Sequence, residues 1–405
     1  MPDTESDPIL IRHLKPRNFL SFGPDNEGIE LKALNLLIGP NGSGKSNLIE
    51  AVSFMRAASR EFAEVPRKGG GVAEWIWKGE TKKWAWMECT MRNQALGSGN
   101  SKETIPLRHA VAFISVSQRF HLMDEWVEDA ASVSGQKAFS YYRYAEGYPV
   151  VAYLVDESGN RRNMEGPVDR QNSSILAQLS DPKFYPELAW LARSYERIRI
   201  YREWSFGRQS VFRDPQKADM RNDRLEEDFS NLGLFLNRLK TRFPAAKRAL
   251  LEALKDLYDG IDDFEVSIEG GTVQVFFIEG TFSIPATRLS DGTLRYLCLL
   301  AILCDPEPPP LICIEEPELG LHPDILPNLA DLLKAAATRT QLIVTTHSDI
   351  LVDAMTETPE CVVVCEKHDG KTEMTRLSAA DLSVWLEKYR LGQLWIEGHL
   401  GGKRW

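Results

Sequence analysis

The feature that most constrains the fold is a glycine-rich stretch near the start of the chain. It comprises Gly39, Pro40, Asn41, Gly42, Ser43, Gly44, Lys45 and Ser46, and Asn47 follows it. The octet fits G-x-x-x-x-G-K-[ST] in full and stands between an apolar run of strand length and the helical spacing of SNLIEAVSFMRAASREFAEV. In a strand, turn and helix of this kind, backbone N–H groups hold phosphate oxygens, Lys45 reaches the β and γ phosphates, and Ser46 binds magnesium. We therefore predict a nucleotide site that includes all nine residues; the alternative, a chance turn, is disfavoured by the flanking strand and helix.

Two further apolar runs end in residues that carry chemistry. LICIEE ends at Glu315 and Glu316, and QLIVTTH ends at His347. Strands of a parallel sheet are buried on both faces, so their polar ends gather at the carboxyl edge, where open α/β sheets bind ligands. We predict that Glu315 holds magnesium, that Glu316 activates the attacking water, and that His347 contacts the γ phosphate. The alternatives are a solvated strand end for the acids and a capping or core role for the histidine.

A second candidate phosphate site lies in LSDGTLR. Ser290 and Gly292 stand just before the apolar helix YLCLLAIL, so a hydroxyl, backbone N–H groups and the positive helix end would face one ligand. One active site does not need two phosphate sites. A symmetric dimer does, if each subunit closes its second site over the nucleotide of the other.

The pattern along the chain predicts an α/β fold in three segments. Residues 1–167 read as a β-rich lobe that carries the phosphate loop, and residues 168–260 read as a helical insertion. Residues 261–405 alternate helix and strand, which indicates a mostly parallel sheet.

Composition limits the partners and the location. The net charge is -10, so nucleic acid could be bound only by a local patch. One candidate patch is formed by arginines, although a solvated helix face is the commoner explanation of such a run; its members are Arg193, Arg197, Arg199, Arg202, Arg208 and Arg213. The amino terminus lacks a secretory pattern, and no apolar run approaches the ~20 residues that span a bilayer. We expect a cytoplasmic protein that does not act at a membrane.

These motifs together resemble the ATPase heads of the ABC class, in the SMC and RecF-like branch. The resemblance rests on GPNGSGKSN, LSDGTLR, ICIEEPELGLHP and IVTTHSDIL in that order. YREW, NLGLFLNRL and LGQLWIEGHLGGKRW further resemble bacterial ATPases of the AAA_21 type.

The resemblance implies an ABC-type P-loop NTPase head that uses ATP and Mg²⁺. It assigns Lys45 and Ser46 to the Walker A motif, Glu315 and Glu316 to the Walker B motif and the catalytic position, and His347 to the switch. Ser290 and Gly292 take the signature roles, and Pro317 to Pro323 lie where the D-loop falls. Glu315 replaces the usual aspartate and Asp291 the usual second glycine, and Gln118 is the candidate for the Q-loop glutamine.

The resulting hypothesis is a cytoplasmic ATP hydrolase that forms a homodimer across the nucleotide. The family association adds DNA, or an effector protein such as a nuclease, as partner, in DNA repair or in defence against foreign DNA. The alternative is an ATP-gated scaffold that hydrolyses little and holds an effector. Glu315 and Asp291, which stand where the family usually has aspartate and glycine, would suit this alternative.

Overall fold

The computed structural model describes residues 7–79, 84–93, 105–131, 138–145, 151–155, 161–163, 173–204, 207 and 214–402. The strands in these ranges are β1 (Ile11–Arg17), β2 (Ile29–Glu30), β3 (Leu34–Ile38), β4 (Trp84–Met91), β5 (Leu107–Val116), β6 (Arg119–Asp129), β7 (Ser140–Ala145), β8 (Val151–Val155), β9 (Arg161–Asn163), β10 (Arg199–Tyr201), β11 (Gln216–Lys217), β12 (Asp263–Glu269), β13 (Thr272–Glu279), β14 (Phe282–Pro285), β15 (Leu311–Glu315), β16 (Gln341–Thr345), β17 (Val362–His368) and β18 (Lys371–Arg376). The helices are α1 (Lys45–Arg56), α2 (Glu64–Lys68), α3 (Ile175–Gln178), α4 (Pro186–Arg197), α5 (Leu232–Arg242), α6 (Pro244–Lys255), α7 (Asp291–Leu303), α8 (Leu326–Ala337), α9 (Asp349–Asp353), α10 (Ala379–Leu386) and α11 (Leu391–Ile396).

A six-stranded sheet in the order β10-β15-β16-β3-β17-β18 positions the candidate site. Its first five strands are parallel, and β18 returns antiparallel to β17. All residues of β3 and β16 are buried, because helices and a second sheet cover both faces. The carboxyl ends of β3, β15 and β16 therefore meet at one edge.

The β-rich lobe is an antiparallel sheet in the order β2-β1-β4-β5-β6-β7-β8-β9. In β4 buried and half-buried residues alternate, which is the pattern of a strand with one face on a core. A third, smaller sheet pairs β13 with β11, β12 and β14. The predicted fold class, α/β with a β-rich lobe and a mostly parallel sheet, is confirmed.

Side-chain alternation along the parallel strands divides the interior into two cores. Leu37, Cys313 and Ile343 belong to the first core, together with α1 and the antiparallel sheet. Leu36 and Ile314 belong to the second core, together with α5, α6, α7 and α8. The nucleotide sheet is thus the middle layer, and its position is fixed from both sides.

The predicted helical insertion at 168–260 includes more than helices. It contains α3 to α6, but β10 within it pairs in parallel with β15 and becomes the edge of the nucleotide sheet. This segment is therefore joined to the sheet through a strand, and the three predicted segment boundaries stay a prediction. No helix in the described ranges is long and apolar enough to cross a membrane.

Candidate active site

The predicted phosphate loop runs from the end of β3 into the first turn of α1. Gly39 has φ 142° and Gly44 has φ 104°, values that favour glycine. A Cβ at Gly39 would lie 2.1 Å from the Cys365 carbonyl oxygen, and one at Gly44 would lie 2.2 Å from Thr372 Oγ1. Both glycines are therefore required by space as well as by conformation.

Lys45 is folded back over this loop. Its Nζ donates to the Gly39 carbonyl at 2.8 Å and to the Pro40 carbonyl at 3.0 Å, and the residue is buried. Burial lowers the pKa of Lys45, while nearby acidic groups, including Glu316 and Glu318, act in the opposite direction. Among the described residues its hydrogen bonds go to neutral carbonyls, so this buried ammonium gains from an anion placed at the loop.

A chain of hydroxyl contacts braces the outside of the loop. Asn47 Nδ2 donates to Ser21 Oγ at 2.6 Å, and Ser21 Oγ lies 2.6 Å from Thr372 Oγ1. Thr372 Oγ1 in turn donates to the Ser43 carbonyl at 2.8 Å. The structure thus gives Asn47, predicted to contact the nucleotide, a bracing contact that ties the loop to β18.

The structure brings Glu315, at the end of β15, close to Ser46 in the first turn of α1, and the Ser46 hydroxyl acts to lower the pKa of the Glu315 carboxyl. Burial is the main cause that raises the pKa of Glu315. Its Oε1 is buried and has no hydrogen-bond partner in the structure. An orphaned carboxylate oxygen beside a hydroxyl is a donor set that fits a hard cation such as Mg²⁺.

Glu316 stands in the turn that follows β15, with a left-handed φ of 45°. Its N–H donates to the Thr345 carbonyl at 3.0 Å, and its carbonyl accepts from Arg295 at 3.0 Å. Its Oε1 lies 3.6 Å from Nε2 of His347, and 36% of the side chain is exposed. A non-glycine residue keeps a left-handed φ only where its surroundings enforce it. Here hydrogen bonds hold both the N–H and the carbonyl of Glu316.

Glu318 is a site residue that the sequence analysis missed. One carboxylate oxygen accepts from Thr346 Oγ1 and from the His347 N–H, each at 2.7 Å, and the other oxygen is buried without a partner. Burial raises the pKa of Glu318. This carboxylate fixes the backbone that carries the predicted switch histidine. A third acid two residues after Glu316 was the available signal.

Trp204 and Arg295 hold the same turn from the side of α7. Trp204 Nε1 donates to the Glu315 carbonyl at 2.8 Å, and the Arg295 guanidinium stacks 4.6 Å from the Trp204 ring. Burial lowers the pKa of Arg295 to about 10. The turn of Glu315 and Glu316 is therefore bound to the signature segment of the same subunit.

Ser290 is the N-cap of α7. Its Oγ accepts from the Thr293 N–H at 3.1 Å, and the residue is exposed. At Gly292 an added Cβ would lie 3.0 Å from the Gly320 carbonyl, so the signature packs closely against the D-loop segment. The hydroxyl and the positive end of a 13-residue helix are presented at the surface.

The Q-loop candidate lies on the antiparallel sheet, and its role stays a prediction. Gln118 lies in the turn between β5 and β6, with φ 65°, and not on the parallel sheet. The strand beside β15 is β10, and Arg202 follows its last residue. Arg202 forms an ion pair with Glu50, and its positive charge acts to lower the pKa of Glu315.

The six arginines do not share one surface. Arg193 and Arg197 are exposed on α4, whereas Arg199 is buried and Arg202 is half-buried. Arg208 and Arg213 lie outside the described residues. Among the members of the run that the structure describes, the exposed pair on α4 is available as a backbone-binding patch.

Comparisons with known proteins accord with this geometry. The family model AAA_21, described as "AAA domain, putative AbiEii toxin, Type IV TA system", matches residues 34–82 and 166–353, more than half of the chain. A comparison with curated proteins found no match.

Solved structures with a similar fold are SMC head domains. One is the SMC head bound to the C-winged helix domain of ScpA, with TM-score 0.56 and 16% identity over 92% of this chain and 99% of that one. A second, from Pyrococcus furiosus, has an extended coiled coil and is bound to the C-terminal domain of ScpA; its TM-score is 0.56, with 14% identity over 94% and 99% of the chains. A third, from Pyrococcus yayanosii, has TM-score 0.53 and 12% identity over 94% and 99%. Identities this low establish the fold alone.

Proposed function

Because the chain belongs to the AAA_21 family and has the fold of an SMC-like, ABC-class P-loop ATPase head, we propose that it hydrolyses ATP as a homodimer. The observation that carries the proposal is the proximity of Ser46 of the phosphate loop to Glu315 of the acid pair. These groups come from opposite ends of the chain, and an unpartnered oxygen of Glu315 lies with them.

ATP binding begins at the loop. The backbone N–H groups that open α1 and the positive end of that helix hold phosphate oxygens. The Lys45 ammonium exchanges the two carbonyls that it now contacts for the β and γ phosphates. A charged acceptor makes a stronger hydrogen bond than a neutral one, so the exchange favours the bound state.

Glu315 and Ser46 are the residues that would hold Mg²⁺. The ion supplies charge neutralisation to the phosphate oxygens when it is bound. Burial raises the pKa of Glu315 although the charge of Arg202 acts in the opposite direction, and a bound cation would favour the charged carboxylate further.

Glu316 takes a proton from the attacking water. Its carboxylate is partly exposed, and its backbone is fixed by Thr345 and Arg295, so the side chain starts from a defined position. His347 stands across a 3.6 Å gap, and Glu318 fixes the peptide that carries it. Both side chains face the sheet edge where the γ phosphate would lie.

Dimerisation completes the site in trans. Within the described part of the chain, the Ser290 hydroxyl contacts Thr293. Its exposed position at the start of α7 suits a phosphate held by a second subunit. Gly292 packs closely against Gly320, and Arg295 donates to the Glu316 carbonyl. These two contacts support a mechanism in which closure of the dimer moves the turn that carries Glu316.

We infer that the cycle of ATP binding and hydrolysis controls a partner, either DNA or an effector protein such as a nuclease. Two of the similar SMC heads are bound to ScpA domains, which supports a partner-binding role for this fold. Roles in DNA repair or in defence against foreign DNA follow from the same family association. An ATP-gated scaffold with little hydrolysis is the second candidate, favoured by the charge of Asp291 next to Ser290.

Steady-state phosphate release tests the proposal. Wild-type protein should release phosphate from ATP with Mg²⁺ and not with EDTA, and Ser46→Ala should raise the Mg²⁺ concentration required. Ser383→Ala, an exposed serine of α10, is the matched control and should behave as wild type. ATP binding without phosphate release would favour the scaffold, and absence of ATP binding would contradict both.

A further inference from the structure

Two glycines that follow α11 lie against the phosphate loop. They close the string LGQLWIEGHLGG, residues 391–402, which forms α11 and the turns after it and has no role in the ATP site described above. Gly401 and Gly402, which we call the docked glycine pair, have left-handed φ values of 77° and 58°. Gly402 is also buried. Two successive left-handed residues form a turn that glycine adopts without strain.

The second glycine of the pair is in contact with the first glycine of the phosphate loop. A Cβ at Gly402 would lie 2.9 Å from Val364 Cγ1 and 3.4 Å from the Cα atom of Gly39. Gly39 is confined by the Cys365 carbonyl as well, because a Cβ on Gly39 would overlap that oxygen. The start of the phosphate loop is therefore packed against both the end of β17 and the docked glycine pair.

Two side chains outside the loop hold the pair in place. Trp395 on α11 is buried, and its Nε1 donates to the Gly402 carbonyl at 2.9 Å. Glu366 on β17 accepts from the Gly402 N–H at 2.8 Å, and a Cβ at Gly401 would lie 3.1 Å from the same carboxylate. Both backbone polar groups of Gly402 are thus satisfied, and α11 and β17 fix its position.

The position of Gly39 matters because its carbonyl holds the lysine of the loop. Lys45 Nζ donates to this carbonyl at 2.8 Å, and in the proposed ATP-binding step it exchanges the carbonyl for phosphate oxygens. Gly39 also begins the turn whose N–H groups would hold those oxygens. A shift of the Gly39 backbone would therefore displace both the resting contact of Lys45 and the phosphate-binding turn.

We propose that the docked glycine pair is a positioning element of the nucleotide site, which holds the phosphate loop in its phosphate-binding shape. The proposal rests on the proposed function, because the ligand is the ATP assigned to the loop. If the pair only filled space, its disturbance would leave ATP affinity unchanged. Since coupling between two sites is reciprocal, bound ATP must in turn hold the docked glycine pair more tightly.

The first test is Gly402→Ala in the full chain, which places a methyl group against Gly39. The matched control is Gly270→Ala, an exposed glycine with φ 57° at which an added Cβ would meet nothing within 4 Å among the described residues, chain neighbours aside. Both variants carry the same left-handed strain. Calorimetry should show ATP binding weakened by about 10-fold in Gly402→Ala, the cost of one weakened charged hydrogen bond, and by less than about twofold in the control.

A second pair of variants tests the hydrogen bond without adding bulk. The side chain of Glu366 is 39% exposed, so its replacement leaves the core intact. Glu366→Ala removes the acceptor of the Gly402 N–H and should weaken ATP binding, whereas Glu366→Gln keeps an acceptor oxygen and should restore it. Equal affinities in Gly402→Ala and Gly270→Ala, or a loss in Glu366→Ala that Glu366→Gln does not restore, would overturn the proposal.

Hydrogen exchange measured by mass spectrometry reports the loop directly. Without nucleotide, the peptide that contains residues 39–47 should exchange faster in Gly402→Ala than in Gly270→Ala. In the wild-type protein, ATP should slow exchange in residues 391–402. Unchanged exchange in either comparison would contradict the positioning role. A wild-type chain that binds no ATP would refute the proposed function, whereas the comparison without nucleotide would still decide whether the pair positions the loop.

Discussion

Replacing Glu316 by Gln separates ATP binding from hydrolysis. The amide keeps the size and hydrogen-bonding reach of the carboxylate but cannot take a proton from water. The turn should keep its shape, because its N–H is held by Thr345 and its carbonyl by Arg295, and neither contact uses the side chain. ATP affinity should therefore stay near that of wild type, while hydrolysis falls.

The expected size follows from the role of the group. Loss of a general base costs about 10²- to 10⁴-fold in rate, or roughly 2.7 to 5.4 kcal/mol of transition-state stabilisation. ATP then persists between subunits, so Glu316→Gln should accumulate as a dimer with ATP and not with ADP. Phosphate release gives the rate, and light scattering with ATP, ADP and no nucleotide gives the mass.

Two further variants sharpen this experiment. Glu357→Gln, an exposed residue with the same change of charge, should hydrolyse ATP and should not trap a dimer. Ser290→Arg added to Glu316→Gln should abolish the dimer while each subunit still binds ATP. Identical masses under all conditions would refute ATP-gated dimerisation, and an undiminished rate in Glu316→Gln would refute the assignment of the base.

The other predictions concern binding, surface charge and pH. Lys45→Ala should weaken ATP binding by about 10- to 100-fold in calorimetry; wild-type affinity would mean that the loop is only a turn. If Arg193 and Arg197 contact duplex DNA, each substitution by Ala should flatten the salt dependence of binding by about 0.9 in slope, whereas an unchanged slope would mark a solvated face. Because burial raises the pKa of Glu315 above its usual 4.5, the native state keeps this proton to higher pH than the unfolded chain and loses stability as pH rises through that window. Glu315→Gln should therefore raise the metal-free melting temperature more at pH 7 than at pH 4, and an equal gain at both would contradict the assignment.

The parallel sheet and its polar edge could be predicted because the signals are local. LNLLI, LICIE and QLIVT are apolar runs of strand length, and each is followed by residues that carry chemistry. The structure makes them β3, β15 and β16, which are neighbours, so the residues that follow them meet at one edge. The chemical roles assigned to Glu316 and His347 stay predictions.

What the sequence analysis missed depends on contacts between distant segments. β10 has three residues and follows α4 after a single residue, so no turn signal separates it from the helix. Arg202 therefore appeared as one member of a charge run, although the sheet brings its charge to Glu315. Trp204 had no visible partner until α7 placed Arg295 over its ring. Glu318 was overlooked because Glu315 and Glu316, just before it, already fit the expected acid pair.

The position of β3 has a consequence for how the protein is made. Its two neighbours in the sheet are β16 and β17, and the phosphate loop that follows it is held by Thr372. During synthesis at about 5 to 20 residues per second, these partners appear roughly 15 to 65 s after the loop itself. The nascent chain therefore carries an unassembled nucleotide site until these partners have been made. Ribosomes that stop before Thr372 release chains that lack the brace of the loop, so we expect tight ATP binding only in a chain translated past this residue.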